Sequence, residues 1–63
     1  MSIEDDIMDE YYALSDAEQT AVARSESSLA RWVKKVLKWL GENIKVEDII
    51  YVIRRVWETV RGT

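Results

Sequence analysis

Side chains that could do catalytic chemistry are scarce in this chain of 63 residues. It contains no histidine and no cysteine, so the commonest base at neutral pH and the thiolate nucleophile are both missing. Hydroxyl groups such as those of Ser25 and Thr59 remain, but no histidine can activate them. No lysine lies inside an apolar stripe, where burial could turn it into a base. The sequence therefore predicts a protein that is not an enzyme and that has neither a cofactor nor a small-molecule substrate.

Carboxylates are concentrated near the N-terminus, at Glu4, Asp5, Asp6, Asp9 and Glu10. Two pairs of these acids are four residues apart and would share one face of a helix. The chain has no Asp-x-Asp-x-Asp-Gly loop of the kind that binds calcium. We interpret the acids as a solvated helix face and predict no metal site.

A second group of residues is basic and aromatic and could bind a partner protein, an anionic membrane or a nucleic acid. Its members are Arg31, Trp32, Lys34, Lys35, Lys38, Trp39, Tyr51, Arg54 and Arg55. Trp32 and Trp39 lie on the apolar face of a predicted helix, which is typical of a bundle core. A wide apolar face with lysines opposite is also typical of a helix that lies in a membrane interface.

Residues 28–63 resemble the cationic, tryptophan-containing helical bacteriocins in general pattern. The likeness rests on the run RWVKKVLKWL at 31–40 and on Trp57 in a second apolar stripe, not on a motif. It implies a secreted, membrane-active protein whose residues 28–61 insert at an anionic interface. In that interpretation, residues 1–23 act as a shield or a leader.

Charge is distributed unevenly along the chain, whose net charge is -3. Residues 1–23 hold seven acids and no base, whereas residues 24–63 hold nine bases and five acids. The simplest interpretation is that an acidic helix docks on a basic pair of helices within one molecule. Alternatively, the acidic segment shields a basic surface until a partner displaces it. The same acids would repel a phosphate backbone, which makes nucleic acid the less favoured partner.

Helices must position these residues, because the chain has no proline and only two glycines and therefore few turns for a β domain. Ser2 is a predicted cap of a first helix, with Asp5 in its first turn. The pair Ser15 and Glu18 has the spacing of a capping box. The serines that follow favour a break, after which Ser25 would cap the next helix.

Two strongly amphipathic helices follow and predict an αα-hairpin over residues 28–61. The first, 28–40, has an apolar face of roughly 160° and ends at Gly41. The second runs from about Val46 to Arg61, with Asn43 as a candidate cap. Two such helices lack a third wall, which the first helix or a second copy must supply. The residues expected in the core are Ile7, Leu14, Leu29, Val33, Val36, Leu40, Ile49, Ile53, Val56 and Trp57.

Together these features predict an all-α fold, a bundle of three or four helices in a single domain spanning 1–63. The expected function is that of a non-catalytic protein–protein interaction or regulatory protein that self-associates, with a protein partner or a second copy as its ligand. The alternatives are a membrane-active protein of a bacteriocin-like or toxin-like kind and, third, a nucleic-acid-binding protein. The start lacks the features of a secretory signal, and no apolar run approaches the roughly 20 residues of a spanning helix. We therefore expect a cytoplasmic protein, or a secreted one if the membrane-active alternative holds.

Overall fold

The computed structural model describes residues 2–41 and 43–62. Within these residues the chain forms four helices and no strand. They are α1 (Ile3–Tyr12), α2 (Asp16–Val22), α3 (Glu26–Leu40) and α4 (Val46–Val60). The predicted all-α class is confirmed, and the four-helix form is the one observed.

Serine side chains begin α1 and α2 as predicted. The Ser2 hydroxyl oxygen accepts a hydrogen bond from the backbone N–H of Asp5 at 3.2 Å. The Ser15 hydroxyl oxygen accepts from the backbone N–H of Glu18, and the Glu18 carboxylate accepts from the backbone N–H of Ser15, each at 3.2 Å. These bonds satisfy amides that have no acceptor within the helix, so each helix starts at a defined residue.

The serine cluster separates α2 from α3, and Ser25 caps α3 as predicted, so the helix begins at Glu26, two residues before the amphipathic stretch 28–40. Ser25 has an extended backbone, and its hydroxyl accepts from the backbone N–H of Ser28 at 3.1 Å. We expect Ser25→Ala to lower the free energy of unfolding by about 1 kcal/mol. Ser27→Ala, at an exposed position in the same turn, should change it by less than about 0.5 kcal/mol. Urea unfolding followed by circular dichroism measures both, and equal losses would contradict the capping role of Ser25.

The turn between α3 and α4 confirms one predicted boundary and corrects another. Gly41 has a φ of 75° and ends α3 in the left-handed conformation, which glycine adopts without a steric penalty. The predicted cap Asn43 is wrong, because the residue before α4 is Lys45, which makes no side-chain capping bond. At its other end α4 stops at Val60, and Arg61 is the capping residue.

The core lies where α1 packs across the hairpin of α3 and α4. The buried residues are Ile7, Tyr11, Leu29, Val33, Val36, Leu37, Val52, Ile53 and Val56. Six of the predicted core residues are among them: Ile7, Leu29, Val33, Val36, Ile53 and Val56. Ile49 and Trp57 are half-buried against this core, and Leu14 is half-buried.

The exposure of Leu40 and Trp39 differs from the predicted packing of α3. Leu40 is 36% exposed and Trp39 is 71% exposed, so neither belongs to the core. At roughly 100° per residue, the predicted apolar face runs from Trp39 at one edge to Leu37 at the other. The structure buries the Leu37 edge and leaves the Trp39 edge in solvent. Leu40 is the last residue of α3 and lies beyond the last buried position of the helix.

Candidate interaction surfaces

Helix α1 covers only one side of the α3–α4 hairpin. On that side Trp32, Lys35 and Trp39 of α3 line a shallow cleft together with Glu10 of α1 and Val36, which we call the tryptophan cleft. Residues 26, 30 and 34 lie roughly half a turn away from these positions on α3, given about 3.6 residues per turn. They line a second depression between α3 and α4, to which α1 contributes no residue.

This second depression, the hairpin groove, has an apolar floor and a charged rim. Its floor consists of Ala30, Val46, Ile49, Ile50 and Ile53, and its rim of Glu26, Ser27, Lys34 and Arg54. Val46 and Ile50 are 72% and 56% exposed. Because fully burying a valine or isoleucine side chain is worth about 1.5–3 kcal/mol, a partner that covered both would gain a substantial free energy.

The groove exists because the apolar stripe of α4 is wider than its neighbours in the fold can cover. Val52 and Val56 on one edge of the stripe are buried against the core. At roughly 100° per residue, Val46, Ile50 and Trp57 lie together on the other edge. Of these three, Trp57 is half-buried and packs against the core, while the other two face solvent.

The tryptophan cleft joins α1 to α3 through an aromatic contact. The rings of Tyr11 and Trp32 meet edge to face, with centroids 5.9 Å apart and an interplanar angle of 77°. The Tyr11 hydroxyl donates to the carbonyl of Gln19 at 3.4 Å, which ties α1 to α2 as well. Trp32 is therefore partly a packing residue, whereas Trp39 extends from the cleft into solvent.

The acidic helix α1 makes its ion pair with α4 and not with the basic residues of α3. The Glu4 Oε2 atom lies 3.5 Å from Arg55 Nε, and both side chains are partly exposed. Exposed pairs of this kind contribute about 0–1 kcal/mol, so the pair aligns α1 without accounting for its docking. Four basic residues of α3 are exposed and make no ion pair with any residue that the structure describes: Arg31, Lys34, Lys35 and Lys38.

The surface residues predicted from the sequence do not form a single site. Lys34 and Arg54 flank the hairpin groove, while Trp32, Lys35 and Trp39 line the tryptophan cleft. Two of the predicted acids have a place in these contacts, Glu10 in the cleft and Glu4 beside Arg55. The other predicted residues line neither surface: Asp5, Asp6, Asp9, Arg31, Lys38 and Tyr51.

The residues that sequence reasoning missed are those on the floor of the hairpin groove. Val46 and Ile50 lie in the apolar stripe of α4, and the spacing of the stripe does not show which edge is covered. The width of the stripe was the available indication, since a helix that packs against the hairpin on one side leaves the opposite edge open.

Comparison of the chain with family models, with curated proteins and with solved structures finds no match. Among residues 2–41 and 43–62, no group of three acidic side chains could hold a metal ion. In the same residues, every buried side-chain nitrogen or oxygen has a hydrogen-bond partner. None of the four helices is long and apolar enough to cross a membrane. The hairpin groove and the tryptophan cleft each contain some of the predicted interaction residues.

Proposed function

We propose that this chain is a non-catalytic helical interaction protein that acts by binding another folded protein, a second copy of itself included. The observation that carries the proposal is the hairpin groove, whose apolar floor is open on the side that α1 leaves uncovered. Exposed aliphatic residues gathered in one depression with a charged rim are typical of protein contact sites.

The exposed surface of the chain supports this proposal. The chain exposes 4709 Å², whereas a compact monomer of 7.4 kDa would expose about 4200 Å². The difference of roughly 500 Å² counts polar and apolar surface together, and the exposed aliphatic side chains of Val46 and Ile50 on the groove floor contribute to it.

The test is a photoreactive amino acid placed in the groove of the full-length chain. We expect a photo-crosslinker at Ile50 to form adducts with protein in the producing cell, because this residue is exposed on the groove floor. The same crosslinker at Asp48, two residues away on the same helix and outside the groove, is the matched control. Absence of adducts to any protein at Ile50, this chain included, would contradict the proposed function.

The position of Trp39 favours a second candidate, binding to an anionic membrane surface. Trp39 is 71% exposed and lines the cleft with Lys35, next to the exposed Lys38. Tryptophan with neighbouring lysines is typical of helices that lie in the interface of a bilayer. The acids of α1 do not pair with these lysines in the part of the chain that the structure describes.

For this candidate, the expected result is a blue shift of tryptophan emission on adding phosphatidylglycerol vesicles to the full chain. Trp39→Ala should remove most of the shift, because Trp32 and Trp57 are half-buried in the fold. Vesicles of phosphatidylcholine are the control, since they lack the anionic charge that lysines attract. Emission that phosphatidylglycerol leaves unchanged would reject membrane binding.

A further inference from the structure

We infer that the occupant of the hairpin groove is the same groove of a second copy, with the two α4 helices antiparallel about a twofold axis near Ile50. This inference rests on the proposed function and names the partner. A twofold contact uses one surface twice, so the charges of that surface must complement one another across the axis. The hairpin groove meets the charge condition on each of its two helices.

On α4 the charges are arranged for an antiparallel pair. Arg54 flanks the groove. Glu47 is exposed and does not line the groove itself, but it lies two turns before Arg54 on the same edge of α4, with Ile50 between them. A twofold axis near Ile50 places Glu47 of each copy against Arg54 of the other. A parallel arrangement would instead place each of these charges against its own equivalent, and like charges across an interface are unfavourable.

Helix α3 carries the same arrangement in the opposite direction. Glu26 and Lys34 both flank the groove, and α3 runs opposite to α4 because a short turn joins them. Glu26 therefore lies toward the Arg54 end of the groove and Lys34 toward the Val46 end. The twofold operation brings Lys34 of the second copy to the end that holds Glu26. Each end of the contact between the two grooves therefore contains two acids and two bases, which are Glu26 and Arg54 of one copy and Lys34 and Glu47 of the other.

These four charges are available for such contacts. Glu26, Lys34, Glu47 and Arg54 make no ion pair with another residue in the described ranges. A typical dimer buries about 800 Å² per partner, which is about one-sixth of the 4709 Å² that the chain exposes. Of the two exposed floor residues, Ile50 lies near the proposed axis and Val46 lies about one turn from it, at one end of the groove.

Charge reversal in the full-length chain tests the arrangement. We expect Glu47→Arg and Arg54→Glu each to raise the dimer dissociation constant roughly tenfold at low salt, measured by sedimentation equilibrium. The double variant Glu47→Arg/Arg54→Glu should restore the dissociation constant to within about threefold, because both cross pairs are then re-formed with their signs exchanged. The control is Asp48→Arg, which also removes an acid from the first turn of α4 but on the far side of the helix. It measures the effect of losing a favourable charge at the helix N-terminus.

A disulfide cross-link locates the twofold axis independently. The chain contains no cysteine, so a single Ile50→Cys variant can oxidise only to a copy of itself. Since a disulfide requires Cα atoms within about 7 Å, we expect this variant to form a covalent dimer. Asp48→Cys, on the far side of the same helix, should stay reduced under the same conditions.

The outcomes separate this inference from the proposed function. A dimer that single reversals leave unchanged, or that the double variant fails to restore, overturns the antiparallel arrangement while leaving the interaction function in place. A chain that stays monomeric, but whose photo-crosslinker at Ile50 captures a different protein, overturns the choice of partner alone. A monomer that forms no adduct at all overturns both.

Discussion

Replacing Leu29 with alanine is expected to remove a large part of the stability of the fold. Leu29 is 0% exposed, and truncating a leucine in such a site lowers the free energy of unfolding by about 2–5 kcal/mol. A chain of 63 residues has only roughly 3–9 kcal/mol of stability at ordinary values per residue. The loss is therefore a large fraction of the stability of the fold, and urea unfolding followed by circular dichroism measures it.

The same substitution at Leu40 provides the matched control. Leu40 lies on the same helix and the same predicted apolar face, but it is 36% exposed at the end of α3. Leu40→Ala should therefore lower the free energy of unfolding by less than about 1 kcal/mol. Comparable losses for Leu29→Ala and Leu40→Ala would show that the core extends to the end of α3, contrary to the packing described above.

Most helix boundaries could be predicted because they depend on residues within the same turn. Ser2, Ser15 and Ser25 each bind an amide three residues along the chain, a contact that the local sequence determines alone. Gly41 ends α3 for an equally local reason, its positive φ. The start of α4 was harder to predict, because Lys45 makes no side-chain capping bond that a sequence pattern could indicate.

The burial of individual residues was harder to predict, because it depends on the side from which a neighbouring helix approaches. The apolar face of α3 includes both Leu37 and Trp39, and periodicity treats them as equivalent. In the fold Leu37 is 3% exposed and Trp39 is 71% exposed. This difference in exposure depends on how the helices pack against one another, and the spacing of residues along a single helix does not predict it.

The two candidate surfaces were predictable to different degrees for the same reason. The basic residues of α3 were expected on a solvent face, and Lys35 and Lys38 are exposed there. The hairpin groove could not be derived in this way, since it is the side of the hairpin that α1 leaves open. Once α1 is placed on the other side, the exposure of Val46 and Ile50 follows.

Replacing Ile7 with aspartate is expected to unfold the whole chain and not merely to release α1. Ile7 is 0% exposed and belongs to the same cluster as Leu29 and Val56. The substitution removes apolar burial and adds the cost of placing a carboxylate in a dry site, which together amount to several kcal/mol. Helix α1 supplies the third wall that the hairpin lacks, so the hairpin should lose its helical circular dichroism together with α1.

The matched control is Ile50→Asp, the same change at an isoleucine that is 56% exposed on the groove floor. It should leave the circular dichroism of the single chain unchanged and, under the inferred dimer, shift the molecule to monomer. An Ile7→Asp variant that kept a helical hairpin would instead identify α1 as a removable shield. In that case the emission of Trp32, which contacts Tyr11 of α1, would shift to the red while α3 and α4 stayed folded. Loss of all helix in Ile7→Asp would establish α1 as part of the core. Full helix in Ile50→Asp would show that the single chain folds without an apolar residue at this position of the groove floor.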